Sequence, residues 1–409
     1  MLTFAIFGLG SRISGVVQNF VDAAAGRARC IGYADPAPNG IGWLRTRGID
    51  PGTAYADHAA LLACERPDVV FVGSPNHLHA GHIEAALAAG CTVFSEKPVV
   101  ISRAETVRMA GLIARYGSQR LHVGLVLRSS PLFRTVRRLI SEGRIGQVVS
   151  MEANEHLAPG HGSFLMRDWR RSRAWAGSYL LEKCCHDFDL YNVLAGARAA
   201  RVASFGGRRI FTAANRGAMT SAIGEGGRAY FEGVRGWGES GRVFDSDGDV
   251  LDHQTALVEY ANGVQLAFHS NTHAVPQRRW YIAGTLGVIE SDLALNRIRL
   301  QRLGGASEEL TPGDGETEGH GRGHYGADAQ MGKDLVATLF DGVPFPVGAE
   351  AALAAGLTCI AIDEAQRLGA LVDLAPWWQE LDGIRQLAAP TAVPMPMAVP
   401  IKEAAASVL

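Results

Sequence analysis

Leu2-Thr3-Phe4-Ala5-Ile6-Phe7-Gly8-Leu9-Gly10-Ser11-Arg12 decides the fold: a short apolar run passes through a glycine turn into a helix-like stretch that extends to about Ala25. Glycine at position 8 permits the tight turn, and glycine at position 10 lets backbone approach a pyrophosphate at the helix N-terminus. The third glycine of a GxGxxG fingerprint would fall at position 13, which is Ile13, with Gly15 two residues late. The next run, Ala28–Ala34, ends in Asp35-Pro36, where a carboxylate can accept hydrogen bonds from an adenosine ribose diol. No arginine follows it to hold a 2′-phosphate (Pro36-Ala37-Pro38-Asn39), so NAD is favoured over NADP.

Outward from that turn the alternation continues. Runs at 68–73, Thr92–Ser95 and 122–127 read as strands, with alanine-rich helices at 82–89 and Arg103–Tyr116 between them. Continuous apolar runs separated by helices predict a doubly wound, parallel α/β Rossmann domain over residues 1–125. Beyond Arg128 the texture changes. Helices are expected at 133–143 and 179–194, with a strand at 148–152. Residues 205–250 are glycine-rich and read as long loops with one or two strands. Short runs at 255–260, 264–269, Arg279–Gly284, 287–291 and Arg297–Arg302, punctuated by turns such as Asn262-Gly263, predict an open, mostly antiparallel sheet. With helices at 327–340 and Ala349–Leu368, residues 126–386 form an α+β domain, and 387–409 a Pro/Ala-rich arm or tail.

The chain has 409 residues, 39 basic and 41 acidic, 47% apolar and 20% charged, with a net charge of −2. Such a balance gives no reason to expect a nucleic-acid or anionic-membrane partner. Six cysteines without a paired spacing, no signal-like N-terminus and no apolar run of about 18 residues point to a reduced, cytoplasmic protein. Only four lysines occur (Lys97, Lys183, Lys333, Lys402), leaving 35 arginines, so a retained lysine carries information.

Three clusters carry the chemistry. Ser74-Pro75-Asn76-His77-Leu78-His79 closes a strand where ligands sit in open α/β sheets. His77, His79 and His82 lack a carboxylate or cysteine at ligand spacing, so no metal is expected; Ser74, Pro75, Asn76 and His79 are candidates for the cofactor groove. Glu96-Lys97-Pro98 follows the next strand and holds a lysine that, unlike arginine, can titrate and take part in proton transfer. In Leu181-Glu182-Lys183-Cys184-Cys185-His186-Asp187-Phe188-Asp189, a helix aligns Glu182, His186 and Asp189 along one stripe, able to orient a histidine base. Cys184 and Cys185 read as small buried hydrophobes.

Together these stretches resemble the glucose–fructose oxidoreductase / inositol dehydrogenase family (Gfo/Idh/MocA). The resemblance rests on GLGSR (8–12), ADP (34–36), SPNHLH (74–79), AGCTVFSEKP (89–98), RDWRR (167–171), LLEKCCHDFD (180–189), ANGVQLAF (261–268) and IAGTLGVIES (282–291). It implies that Lys97, His186 and Glu182 are the catalytic set, with Glu182 and Cys184 standing where the family has Asp and Gly. It places Gly8, Gly10, Ser11, Arg12, Asp35, Glu96, Lys97, Trp169 and Arg170 around the cofactor. Arg128, Lys183, Asp189 and His324 join the catalytic set around the substrate. His324-Tyr325-Gly326-Ala327-Asp328 is similar to an HGGGD stretch in some members. The implied activity is NAD-dependent oxidation of a secondary hydroxyl on a small-molecule carbohydrate, whether sugar, glycoside or cyclic polyol, by a homodimer or homotetramer joined through the C-terminal domain. Two alternatives share the same residues: a glycosidase that oxidises transiently and re-reduces, and a non-catalytic NAD-sensing regulator.

Overall fold

The computed structural model describes residues 1–223, 227, 240–312 and 323–387. Two sheets organise them. The first has six parallel strands, β1 (Leu2–Phe7), β2 (Ala28–Ala34), β3 (Thr53–Tyr55), β4 (Val69–Val72), β5 (Thr92–Ser95) and β6 (Leu121–Val123), in the order β3-β2-β1-β4-β5-β6. Helices cover both faces, so β4 is buried at every residue and β1 from Phe4 to Phe7. The order reverses between β1 and β4, which makes their carboxyl ends the crevice of the fold. There the Gly8 turn packs on the Ser74 turn: Gly8 has φ +81, and a Cβ on it would lie 2.4 Å from the Ser74 nitrogen.

The missing third glycine has a structural counterpart. Ile13 is buried in the helix Ser11–Ala24, and its side chain lies against Gly73 at the end of β4. A Cβ on Gly73 would stand 2.4 Å from the Ile13 Cβ. Close helix–strand approach is thus provided from the strand side rather than the helix side.

The second sheet has nine strands, β7 (Val148–His156), β8 (Ala199–Gly207), β9 (His253–Tyr260), β10 (Gln265–Asn271), β11 (Arg279–Gly284), β12 (Gly287–Asp292), β13 (Arg297–Arg302), β14 (Ser307–Leu310) and β15 (Val372–Asp373). Their order is β14-β13-β12-β11-β7-β10-β9-β8-β15, antiparallel except where β10 runs parallel to β7. Residues of β9 and β10 alternate between buried and exposed. The buried face packs on the helices Tyr179–Ala195 and Ala349–Leu368. β8, β14, β15 and the helix Ala375–Leu387 lie beyond the sequence-based expectation.

The division at residue 125 is not a division of cores. Helix Ala327–Asp341 returns to the first domain, where Ala327, Met331 and Leu335 share a core with Phe4, Ile13 and Phe20. Gly332 lets that helix come so close to Ser11–Ala24 that a Cβ would sit 2.6 Å from the Asn19 carbonyl oxygen. Much of 205–250 is likewise structured: Phe211, Val243, Phe244 and Val250 are buried, and Asp252 accepts from the backbone N–H groups of Arg209, Ile210 and Phe211. Residues 224–226, 228–239, 313–322 and the expected tail from 388 onward lie outside the described residues. Among the described residues no helix is long and apolar enough to cross a membrane.

Candidate active site

At the β1 end, helix Ser11–Ala24 starts with Gly10 as its cap, has no acidic residue in its first turn and, among the described residues, no side chain bonded to its first N–H groups. Among the described residues nothing lies within 4 Å of where a Gly10 Cβ would be, its chain neighbours aside. Open space, free N–H donors and the positive end of a helix fit a pyrophosphate. Asp35 accepts from the Leu9 N–H at 2.5 Å and the Ala37 N–H at 2.7 Å, which locks its carboxylate beside the glycine turn. Gly8, Gly10, Ser11 and Asp35 thus stand together at the carboxyl end of β1 and β2.

Lys97 follows β5, and its peptide bond to Pro98 is cis. Its ammonium donates to the main-chain oxygen of Glu182 at 2.5 Å and lies 3.7 Å from the Glu182 carboxylate. That carboxylate is buried; it also accepts from the Asn76 amide at 2.7 Å and pairs with Arg170 at 3.4 Å. Glu182 belongs to the helix Tyr179–Ala195, started by the Ser178 hydroxyl accepting the Leu181 N–H and ended by Gly196 in the left-handed conformation. One turn on, His186 is only 5% exposed, and its Nδ1 has no hydrogen-bond partner among the described residues. Burial, reinforced by the charge of Lys97, holds this imidazole well below its ordinary range, which favours its neutral form.

The remaining expected residues fall into distinct places. Arg12 donates to Glu96 and to Asp328, both at 2.8 Å, which ties the glycine turn to the lysine motif and to helix Ala327–Asp341. His79 is buried, with its ring nitrogens 2.8 Å from the Pro98 carbonyl and 2.7 Å from the Ser74 carbonyl. It acts as a post between two turns instead of lining a groove. Ser74 directs its hydroxyl to His82 at 2.9 Å. Arg170 stacks on Trp169, 4.2 Å from the ring centre, while reaching Glu182. Arg128 and Asp189, expected in the substrate wall, form a two-pronged pair with each other, both bonds 2.6 Å. His324 enters the site with its ring 5.7 Å from that of His186, centre to centre.

Sequence reasoning missed a buried ion network beside these groups. Arg278 pairs with Glu155 at 2.6 Å and Asp187 at 2.9 Å, and Lys183 pairs with Glu155 at 3.3 Å. Burial raises the Asp187 carboxyl above its ordinary range against the opposing pull of Arg278. His161 joins through Lys183; the charge of Lys183 and burial push its imidazole down to about 2. Asp187 stood inside the quoted motif. Glu155 and Arg278 come from β7 and the approach to β11, and no local spacing relates them.

Residues 2–125 match the family model for the NAD-binding Rossmann fold of the Gfo/Idh/MocA oxidoreductases, and residues 133–290 match that family's C-terminal domain. The chain is similar to the oxidoreductase YteT of Bacillus subtilis (strain 168), 29% identical over 146 residues, 36% of this chain and 34% of that one. It is also similar to the inositol 2-dehydrogenase of Rhizobium meliloti (strain 1021), 30% identical over 207 residues, 49% of this chain and 56% of that one. The matched stretches thus span about a third to just over half the length of these curated relatives. A solved levoglucosan dehydrogenase in complex with NADH and levoglucosan superposes with a TM-score of 0.71 at 18% identity, covering 91% of this chain and 99% of that one, a likeness of fold. With both domain models matched in order and the glycine turn, lysine turn and histidine helix converging on one crevice, the chain belongs to the Gfo/Idh/MocA oxidoreductase family.

Proposed function

We propose that the protein is an NAD-dependent dehydrogenase that oxidises a secondary hydroxyl of a sugar, glycoside or cyclic polyol. The observation that carries this is the buried His186, its Nδ1 without a hydrogen-bond partner among the described residues, one helical turn from Glu182, whose carboxylate and carbonyl both face the Lys97 ammonium. His186 accepts the hydroxyl proton, Lys97 polarises the oxygen, and Glu182 fixes the lysine. The dinucleotide, held by Gly8, Gly10, Ser11 and Asp35, supplies the hydride acceptor. A carboxylate at Asp35 repels a 2′-phosphate, which favours NAD over NADP. Relatives and neighbours named for inositol and levoglucosan support a polyhydroxylated substrate. The same reading makes the protein a cytoplasmic homo-oligomer joined through the open face of the second sheet, where Leu257 and Tyr281 are exposed; light scattering tests the assembly.

The deciding experiment adds NAD or NADP to the purified protein with a panel of cyclitols, sugars and glycosides, following reduced cofactor and products. NADH formation with a cyclitol or sugar is expected. Release of free sugar without net NADH would replace dehydrogenation by redox-neutral glycoside cleavage, and no turnover with any member would remove the assignment.

A further inference from the structure

Oxidation of an alcohol leaves a proton in the site, and His186 is badly placed to keep it. The imidazole is 5% exposed and lies among the cations Lys97, Lys183 and Arg278. The ring that faces it is His324, centre 5.7 Å away, whose side chain is one-third exposed. His324 Nδ1 lies 3.0 Å from Asp328 Oδ2, so a neutral His324 that donates there leaves Nε2 as acceptor. Asp328 is ionised: burial would raise its carboxyl, but Arg12 and His324 overcome that and hold it well below the usual range. His324 and Tyr325 have φ of +50 and +58, a conformation unusual for two consecutive residues with side chains. The chain there bends to aim the imidazole inward, directly before the helix that carries Asp328.

We propose that His324, steadied by Asp328, is the proton exit of the site and relays the substrate proton from His186 to water. The inference rests on the dehydrogenase reading above and adds a residue to it. In the step, the substrate O–H and C–H bonds break and its C=O bond forms. The hydride leaves with the cofactor, and the proton passes to His186, then His324, then solvent. One alcohol and one NAD⁺ thus give one carbonyl compound, one NADH and one H⁺. The groups facing His324 are His186 and Lys183 from the helix Tyr179–Ala195, Arg12 from Ser11–Ala24, His161, and Asp328 on its own helix. Of these, only Asp328 is an anion, and it favours the transient imidazolium. Asp328 is a positioning residue; His324 is the carrier.

His324→Asn tests this, because asparagine tolerates the left-handed backbone and lacks the imidazole. With the best substrate of the panel in weak buffer, kcat should fall about ten-fold. Hydride transfer in the first turnover should stay within about two-fold, proton release to an indicator dye should lag behind it, and added imidazole should restore kcat. An unchanged kcat overturns the relay, as does a loss that includes the first turnover and is not rescued by imidazole. In the protein without ligands, ring-¹⁵N NMR should give His324 as the Nδ1–H tautomer, and a bare Nδ1 overturns the dyad. Wild-type turnover with a silent His324→Asn variant sinks the relay alone; a wild type inactive on the whole panel sinks the dehydrogenase reading and the relay with it.

Discussion

The Lys97 ammonium stands 3.7 Å from the Glu182 carboxylate while donating to the carbonyl oxygen of the same residue. One glutamate therefore grips the lysine from both main chain and side chain, and through its second oxygen it also faces Arg170 at 3.4 Å. Glu182→Gln keeps an acceptor for the Asn76 amide but removes the charge that fixes Lys97. We expect kcat/KM to fall about 100-fold, within the range of a misaligned acid–base group, together with a lowered melting temperature, because Lys97 and Arg170 lose their buried carboxylate. Lys97→Ala and His186→Ala should abolish turnover yet bind NADH with an affinity close to that of the wild type, read by fluorescence titration. Normal turnover in either alanine variant would take that residue out of the chemistry.

Arg128 and Asp189 consume each other. Both Asp189 oxygens accept from Arg128, whose remaining reach goes to the Pro346 carbonyl at 3.0 Å. Asp189 is fully buried and Arg128 nearly so; burial raises the aspartate carboxyl and the arginine opposes it. Asp189→Ala strands a buried guanidinium, a loss of about 3 kcal/mol or more. Denaturant melts should show that loss while KM stays level. A raised KM at unchanged stability would instead put the pair in the substrate wall.

The parallel sheet was legible because its strands, buried on both faces, are continuous apolar runs; β1, β2 and β5 coincide with Leu2–Phe7, Ala28–Ala34 and Thr92–Ser95. The helix carrying Glu182 and His186 was legible because a spacing of four is local. What escaped was set by distant contacts. β15 has two residues, and β14 is the charged run Ser-Glu-Glu-Leu at a sheet edge, so neither has an apolar pattern to read. The docking of Ala327–Asp341 onto Ser11–Ala24 and the Arg12–Asp328 bond bridge more than 300 residues. His79 was a groove candidate by position alone; two carbonyl oxygens from separate turns made it a post.

Gly73 substitutes for a fingerprint glycine, and that can be measured. Gly73→Ala would force a Cβ to 2.4 Å from the Ile13 Cβ, the root of a branched side chain and not a flexible end that could yield. Overpacking of this kind costs about 1–3 kcal/mol. It should also weaken NADH binding, because the helix start that cradles the pyrophosphate is displaced. Ile13→Ala alone destabilises by leaving a cavity; in the double variant it removes the Ile13 Cγ1 and Cγ2, which would stand 2.7 and 2.9 Å from the new Cβ, but keeps the Ile13 Cβ, so the two losses should fall short of their sum by only about 0.5 kcal/mol. Strict additivity in denaturant melts would show that the two residues do not press on each other.

His122 gives stability a pH dependence of predictable sign. It lies on β6, is 6% exposed, packs against Phe345 with ring centres 5.3 Å apart, and burial lowers its imidazole to about 4. The unfolded chain takes up this proton near pH 6.5, whereas the folded chain refuses it until about pH 4. Between those values the unfolded state binds more protons, so stability present above pH 6.5 is lost as the pH falls. For this residue the loss is about 2 kcal/mol between pH 6.5 and 4.5. Other buried histidines, His79 and His186 among them, are shifted in the same direction and deepen the decline. His122→Leu keeps the apolar contact with Phe345 and removes the titrating group, so its melts at pH 6.5 and 4.5 should differ by about 2 kcal/mol less than those of the wild type. Parallel pH profiles for the two proteins would mean that His122 titrates alike in the folded and unfolded chain and that its burial costs nothing.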